Sequence, residues 1–173
     1  MKGVIAKCLS ELVKKNFDEH KWKEILQQSG ESPYMLIKAI SDIDDKIVFK
    51  LFENTGKVLN LSKQQTCDVF GDYFVNTFAP KIYGGYYVNF KNAKQFIVGM
   101  DKVHETVTKD ISKAQPPRFT IEEVDENTLI VNYLSSRNMI DFYIGLVKGV
   151  GKYFNTSIGI KKLSEERVEL TFK

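Results

Sequence analysis

The chain has 173 residues, 43% of them apolar, with 12 Phe and 8 Tyr; that is enough to bury a core in one domain and too apolar for a disordered segment. Its formal net charge is +3, evenly spread and without a basic stripe interleaved with aromatics, which argues against a nucleic-acid partner. No stretch approaches the roughly 20 apolar residues of a membrane span, and Cys8 and Cys67, without CxxC spacing, argue against a disulfide framework and against structural zinc.

The first segment, "MKGVIAKCLSELVKKNF", carries Val4, Cys8 and Leu12 on one stripe with Ile5, Leu9 and Val13 beside it, a helical period. Lys7 and Ser10 interrupt it, so it is no signal peptide; a soluble cytoplasmic protein is expected. "DEHKWKEILQQSG" predicts a second helix with Asp18 as N-cap and Gly30 as its stop. "SDIDDKIVFKLFENTG" predicts a third, ending at Gly56, and "LSKQQTCDVFGDYFVNTF" a fourth, capped by Ser62. Pro80 and "YGGYY" predict a loop over 80–88. A long helix is expected from about Asn89 to Ser112, stopped by "AQPPRF".

The period then changes. "RFTIEEV" and "NTLIVNYL" predict a hairpin about Asp125-Glu126-Asn127. "SSRNMIDFYIGLVKGVGKYF" reads as a helix, and "SIGIKKL" with "RVELTFK" as a second hairpin. The expectation is one α+β domain over residues 1–173: a helical N-terminal part and a C-terminal part with a small antiparallel sheet.

Two features carry chemistry. His104 stands on the long helix among Met100, Val103 and Val107. It reads either as a histidine satisfied by hydrogen bonds in an apolar groove or as a metal ligand. Zinc would need three or four protein ligands, and no partners are evident. A porphyrin iron brings four nitrogens of its own and needs only one from the protein. The second feature is "YLSSRN". Tyr133, Ser135 and Arg137 alternate at a strand end, which would point a phenol, a hydroxyl and a guanidinium to one face. Three such donors suit a carboxylate. The plainer alternative is a helix cap, a core tyrosine and a solvated arginine.

"MKG" at the start, "MDKVH", "PPR", "YLSSR" and "MIDFYIGL" together resemble a haem-nitric oxide/oxygen binding (H-NOX) domain along the whole chain. That family is related to the haem domain of soluble guanylate cyclase. The resemblance implies haem b between a distal and a proximal subdomain. It makes His104 the proximal iron ligand and Tyr133, Ser135 and Arg137 the propionate holders. It gives a porphyrin-distorting role to Pro117, with Pro116 one residue away. Oxygen-binding members carry a distal tyrosine in the helix after Y-x-S-x-R; here that place holds Phe142, and Tyr143 is turned about 100° away. The other distal positions implied are Ile5, Leu9, Phe74, Phe78 and Leu146, all apolar. The resemblance therefore implies binding of nitric oxide and carbon monoxide but not dioxygen. It also implies signalling in trans to a histidine kinase or a cyclic-di-GMP enzyme, since stand-alone members have this length.

Two other classes stay open. A peroxidase-like haem enzyme would need a distal acid–base pair, which these positions lack; His20 lies in a polar stretch away from them. A haem-free scaffold of the same fold could bind another small ligand. Cys8 and Cys67 read as small buried hydrophobes.

Overall fold

Side-chain caps start most of the helices. The computed structural model describes residues 1–112 and 114–173. Helix α1 spans Val4–Asn16 and α2 Glu19–Gln28; the Asp18 carboxylate accepts the Lys21 amide at 2.6 Å, and Gly30, at φ +82°, turns the chain out of α2. Helix α3 covers Asp45–Leu59 behind an Asp44 cap. It runs past Gly56, where a stop was expected, and ends at Asn60 in the left-handed region. Gly56 is glycine for space: a Cβ there would stand 3.0 Å from the Leu61 carbonyl. Helix α4, Lys63–Tyr73, begins with a full capping box between Ser62 and Gln65.

The expected loop over 80–88 is a helix. A π-helical turn, Phe74–Phe78, leads directly into α5, Ala79–Tyr87. Pro80 occupies the first turn of α5, where its fixed φ suits a helix. The break shows only as a kink at Tyr83. Helix α6 is shorter than the expected 89–112: it covers Ala93–Thr108, with Asn92 accepting the Gln95 amide at 2.9 Å.

Strands β1 (Arg118–Glu123) and β2 (Thr128–Leu134) form the first hairpin, and β3 (Ile158–Lys162) and β4 (Arg167–Phe172) the second. They join in one antiparallel sheet of order β1-β2-β4-β3. Helix α7, Ile140–Tyr153, lies between the hairpins in sequence. It starts five residues after Ser135, because Asn138 takes a left-handed conformation first. The architecture is α+β, as expected. No helix among the described residues is long and apolar enough to cross a membrane.

Two apolar clusters hold the chain. One gathers Leu9, Leu12, Trp22, Ile25, Leu51 and Phe70 from α1–α4. The other gathers Phe96, Phe119, Leu129, Val131, Ile144 and Leu170 from α6, α7 and the sheet. Each such side chain contributes about 1.5–3 kcal/mol over its exposed state. Phe74 and Leu146 touch both clusters. Helices α4 and α7 cross at backbone contact: a Cβ on Gly71 would meet the Gly145 carbonyl, and one on Gly145 the Cys67 carbonyl. This crossing joins the two halves and leaves a space between them.

Candidate functional site

That space is a cavity of about 270 Å³. His104 enters its lining from α6, Tyr133 from β2, Ser135 and Arg137 from the turn before α7, and Phe142 and Leu146 from α7; Ile5, Phe74, Pro116 and Pro117 complete the expected set that lines it.

The His104 ring is fixed from behind. Its Nδ1 lies 3.1 Å from the Pro117 carbonyl oxygen, which can only accept, so Nδ1 carries the proton. Nε2 keeps its lone pair. The Phe119 ring stands 5.6 Å away. Burial lowers the ring's pKa below the usual histidine value, against the opposing pull of the Pro117 carbonyl and Asp101. The imidazole is therefore neutral at pH 7, as a metal ligand must be. Asp101 braces the same helix. It accepts Arg118 Nε at 2.8 Å and Nη2 at 2.6 Å, and the Phe119 amide at 2.9 Å. The Arg118 hydrogen bonds hold its carboxyl down to about 2.

Tyr133, Ser135 and Arg137 do converge, but not by strand alternation. Strand β2 ends at Leu134, and Ser135 and Arg137 lie in the following turn. There the Ser135 hydroxyl accepts the Arg137 amide at 3.3 Å. Burial raises the Tyr133 phenol, and the Ser135 side chain partly offsets it. Arg137 donates Nε to Asp45 at 2.7 Å and Nη1 to the Gln115 carbonyl at 2.6 Å. A guanidinium has five N–H donors, so three remain for an anion. Pro117 supplies a carbonyl to His104 in addition to its place in the lining.

Leu9 and Phe78 do not line the cavity. Leu9 is wholly buried in the N-terminal cluster. Phe78 sits behind Phe74, with ring centroids 6.0 Å apart, because the π-helical turn between them changes the stripe an α-helix would give. Phe142 and Tyr143 separate as the helical wheel requires. Phe142 packs on Phe52 and Phe70, whereas Tyr143 packs on Phe119 and Tyr133. The lining also includes residues not foreseen, among them the tyrosines Tyr83, Tyr86, Tyr87 and Tyr143. Tyr83 and Tyr87 stand one helical turn apart in "YGGYY", a signal hidden by reading that stretch as loop. The Tyr87 hydroxyl donates to the Val75 carbonyl at 3.2 Å. His20 is exposed on α2. Cys8 and Cys67 are both buried, and burial pushes both thiols up, Cys67 to about 11, so neither is a reactive thiolate.

The donor set fits one class of group. Among the described residues no cluster of three His, Cys, Asp or Glu could hold a bare metal ion. The cavity offers one imidazole nitrogen within apolar walls, and a phenol, a hydroxyl and a guanidinium at one end. A flat macrocycle that brings its own equatorial nitrogens and carries carboxylates matches that set.

Comparison with known proteins agrees. The family model described as Haem-NO-binding matches residues 2–162. The soluble guanylate cyclases gcy-32 and gcy-34 of Caenorhabditis elegans are 28% and 27% identical over 160 and 169 residues, or 88% and 92% of this chain. The chain spans only 23% and 24% of their length. Among solved structures, a Cs H-NOX variant superposes with TM-score 0.88 at 25% identity, over all of this chain and 97% of that one. An oxygen-binding H-NOX domain related to soluble guanylate cyclases superposes with TM-score 0.83 at 25% identity, over all of this chain and 95% of that one.

Proposed function

Because the chain belongs to the haem-NO-binding family, we propose that residues 1–173 form a single H-NOX domain that senses nitric oxide through haem b. Its coarse role follows from the family: a haem-binding gas-sensor domain of the soluble guanylate cyclase type. The observation that carries the finer reading is the His104–Pro117 hydrogen bond, which presents one neutral imidazole nitrogen in a cavity whose lining holds no other His, Cys, Asp or Glu among the described residues. When bound, haem would supply an iron able to take a diatomic gas, and His104 would be the residue that holds it.

The chain's own residues do the rest. His104 would tie α6 to the cofactor, so that a change at the cofactor would move α6. Tyr133, Ser135 and Arg137 would hold the cofactor's carboxylates. Phe74, Phe142, Leu146 and Ile5 keep the gas side dry and offer no hydrogen bond. Dioxygen would need a hydrogen-bond donor beside it to be held well; nitric oxide and carbon monoxide would not. Phe142, at the place where the sequence comparison puts an oxygen-stabilising tyrosine, supports a domain that takes nitric oxide and carbon monoxide in preference to dioxygen, in contrast to the oxygen-binding relative of similar fold. A shift of α6 passes through the Asp101–Arg118 pair into β1. A partner that prefers one position of α6 reads the gas. That partner is a histidine kinase or a cyclic-di-GMP enzyme in trans, and the cyclase relatives add a guanylate cyclase to the readouts to assay.

One titration tests this reading. The reduced protein, loaded with haem, is followed by visible absorption with nitric oxide, carbon monoxide and air. Shifts with the first two and none with air are expected. A stable ferrous-oxy spectrum would refute the selectivity, turnover of peroxide above free haem would point to an enzyme, and failure to take up haem would point to a scaffold for another ligand.

A further inference from the structure

We infer that Asn76 is a positioning residue for the gas side of the cavity, holding open the π-helical turn that carries Phe74 and Val75 into its wall. The inference rests on the gas-sensor reading above. In this turn, Phe74–Phe78, backbone hydrogen bonds reach one residue further than in an α-helix: the Ala79 N–H donates to the Phe74 carbonyl. The turn thus holds an extra residue, a form that is rare and appears mostly at functional sites. Its consequence is direct. Phe74 and Val75, neighbours in sequence, both line the cavity, whereas Phe78 does not.

The Asn76 side chain fastens this turn to its surroundings. Its Nδ2 lies 3.1 Å from the Asp72 carbonyl oxygen, 3.0 Å from Asp72 Oδ1 and 3.1 Å from the Gly149 carbonyl oxygen on α7. All three partners are acceptors, so the side chain must turn its NH2 group to them. Asp72 is held in its turn by α7, where Lys152 Nζ stands 2.6 Å from Oδ2. Gly149 belongs to the close crossing of the two helices: a Cβ on it would stand 2.5 Å from the Gly71 carbonyl. Asn76 therefore ties the turn to the most rigid contact in the chain, one residue from Val75 and two from Phe74.

A second side chain closes the far end. Pro80 has no N–H to return to the Val75 carbonyl five residues before it, and the Tyr87 hydroxyl donates there at 3.2 Å. Without the Asn76 amide, the Asp72 and Gly149 carbonyls would lose a donor and nothing would pin the turn to α7. Phe74 would then be free to shift, since it is only half-buried and stacks on Phe70 at 5.7 Å without a polar tie. Asn76 itself does not line the cavity, so it acts on a bound gas through Phe74.

A double-mutant cycle separates positioning from plain stability. The rate of carbon monoxide release from the haem-loaded ferrous protein is measured beside the melting temperature. Asn76→Leu and Asn76→Asp both remove the donor, so one folded variant suffices; the release rate is expected to change severalfold. Asn76→Gln keeps the amide and is expected to return the rate toward wild type. In a Phe74→Ala background, Asn76→Leu should have no further effect. Ile25→Val is the stability control: it is buried in the N-terminal cluster, away from the cavity lining, and should lower Tm without changing release. A lowered Tm with unchanged release in the Asn76 variants, or effects of Asn76→Leu and Phe74→Ala that simply add, would overturn the inference. A wild-type protein with no carbon monoxide difference spectrum fails the sensor reading instead. Hydrogen exchange over residues 74–79 of the haem-free protein then decides whether Asn76 holds the turn: faster exchange in Asn76→Leu is expected, and an unchanged rate counts against it.

Discussion

Phe142 sets what a bound gas can touch. It lines the cavity from α7, and its ring is held by Phe52 and Phe70 at 5.4 and 4.8 Å, so a tyrosine in its place would keep the same orientation. The added hydroxyl would donate to dioxygen. A hydrogen bond to a charged acceptor contributes about 1.5–3 kcal/mol, so Phe142→Tyr should slow dioxygen loss about 10- to 100-fold where binding becomes measurable. Stopped-flow dissociation of the oxy form checks it. Tyr143 is the matched control. Its ring faces Phe119 and Tyr133, on the opposite side from Phe52, so Tyr143→Phe in the Phe142→Tyr background should leave the slow rate in place. If Tyr143→Phe abolished the effect, the register of α7 proposed here would be wrong.

The crossing of α4 over α7 is set by glycines at the contact. A methyl on Gly145 would run into the Cys67 carbonyl, and backbone cannot move aside as a side chain can. Overpacking of this kind costs about 1–3 kcal/mol, which for a chain of this length lowers Tm by about 2–4 °C per kcal/mol. Gly145→Ala should show that drop in a thermal melt. Gly84 on α5 has nothing within 4 Å of its would-be Cβ, and Gly84→Ala should instead stabilise by about 0.5–1 kcal/mol. Equal melting temperatures for the two variants would remove the steric account. The same elements show what was legible in the sequence. Asp18, Ser62 and both hairpin turns were, because caps and turns depend on residues a few positions apart. Helix α5 was not, because Pro80 and two glycines look like a break until the preceding π-helical turn puts Pro80 in a first turn. His104 and the Tyr133-Ser135-Arg137 group share the lining of one cavity. The reason given for their convergence was not the one the fold uses, since the turn at Asn138 does what strand alternation was expected to do. Leu9 and Phe78 lie in the N-terminal cluster and not in the cavity lining, because which stripe of a helix faces a cavity depends on partners far along the chain.

At the scale of the whole molecule, the two halves are also joined by charge. Asp45, at the start of α3, accepts the N-terminal ammonium at 2.6 Å through Oδ1 and Arg137 Nε at 2.7 Å through Oδ2. The ammonium also donates to the Ile43 carbonyl at 2.7 Å. One carboxylate thus ties the chain start, the beginning of α3 and the turn that also carries Ser135. Burial alone would raise the Asp45 pKa, but hydrogen bonds from the ammonium and Arg137 outweigh it and hold the carboxyl below its ordinary 3.8. A carboxyl with a lowered folded pKa stabilises the native state above its unfolded pKa and loses that contribution as pH falls through the folded value. Asp45→Asn keeps the size and removes the charge, leaving the Arg137 guanidinium, whose side chain is 14% exposed, without its carboxylate. Asp45 itself is 35% exposed, so solvent screening holds the loss to about 1–2 kcal/mol. At pH 7 the variant should therefore melt about 2–8 °C below wild type. The gap should close on acidification below the ordinary carboxylate range, where wild-type Asp45 is itself protonated. Thermal melts of both proteins across pH 2–7 test this. A gap that persists unchanged at the acid end would mean that Asp45 acts through packing and not through charge, and would leave the α4–α7 crossing as the joint between the halves.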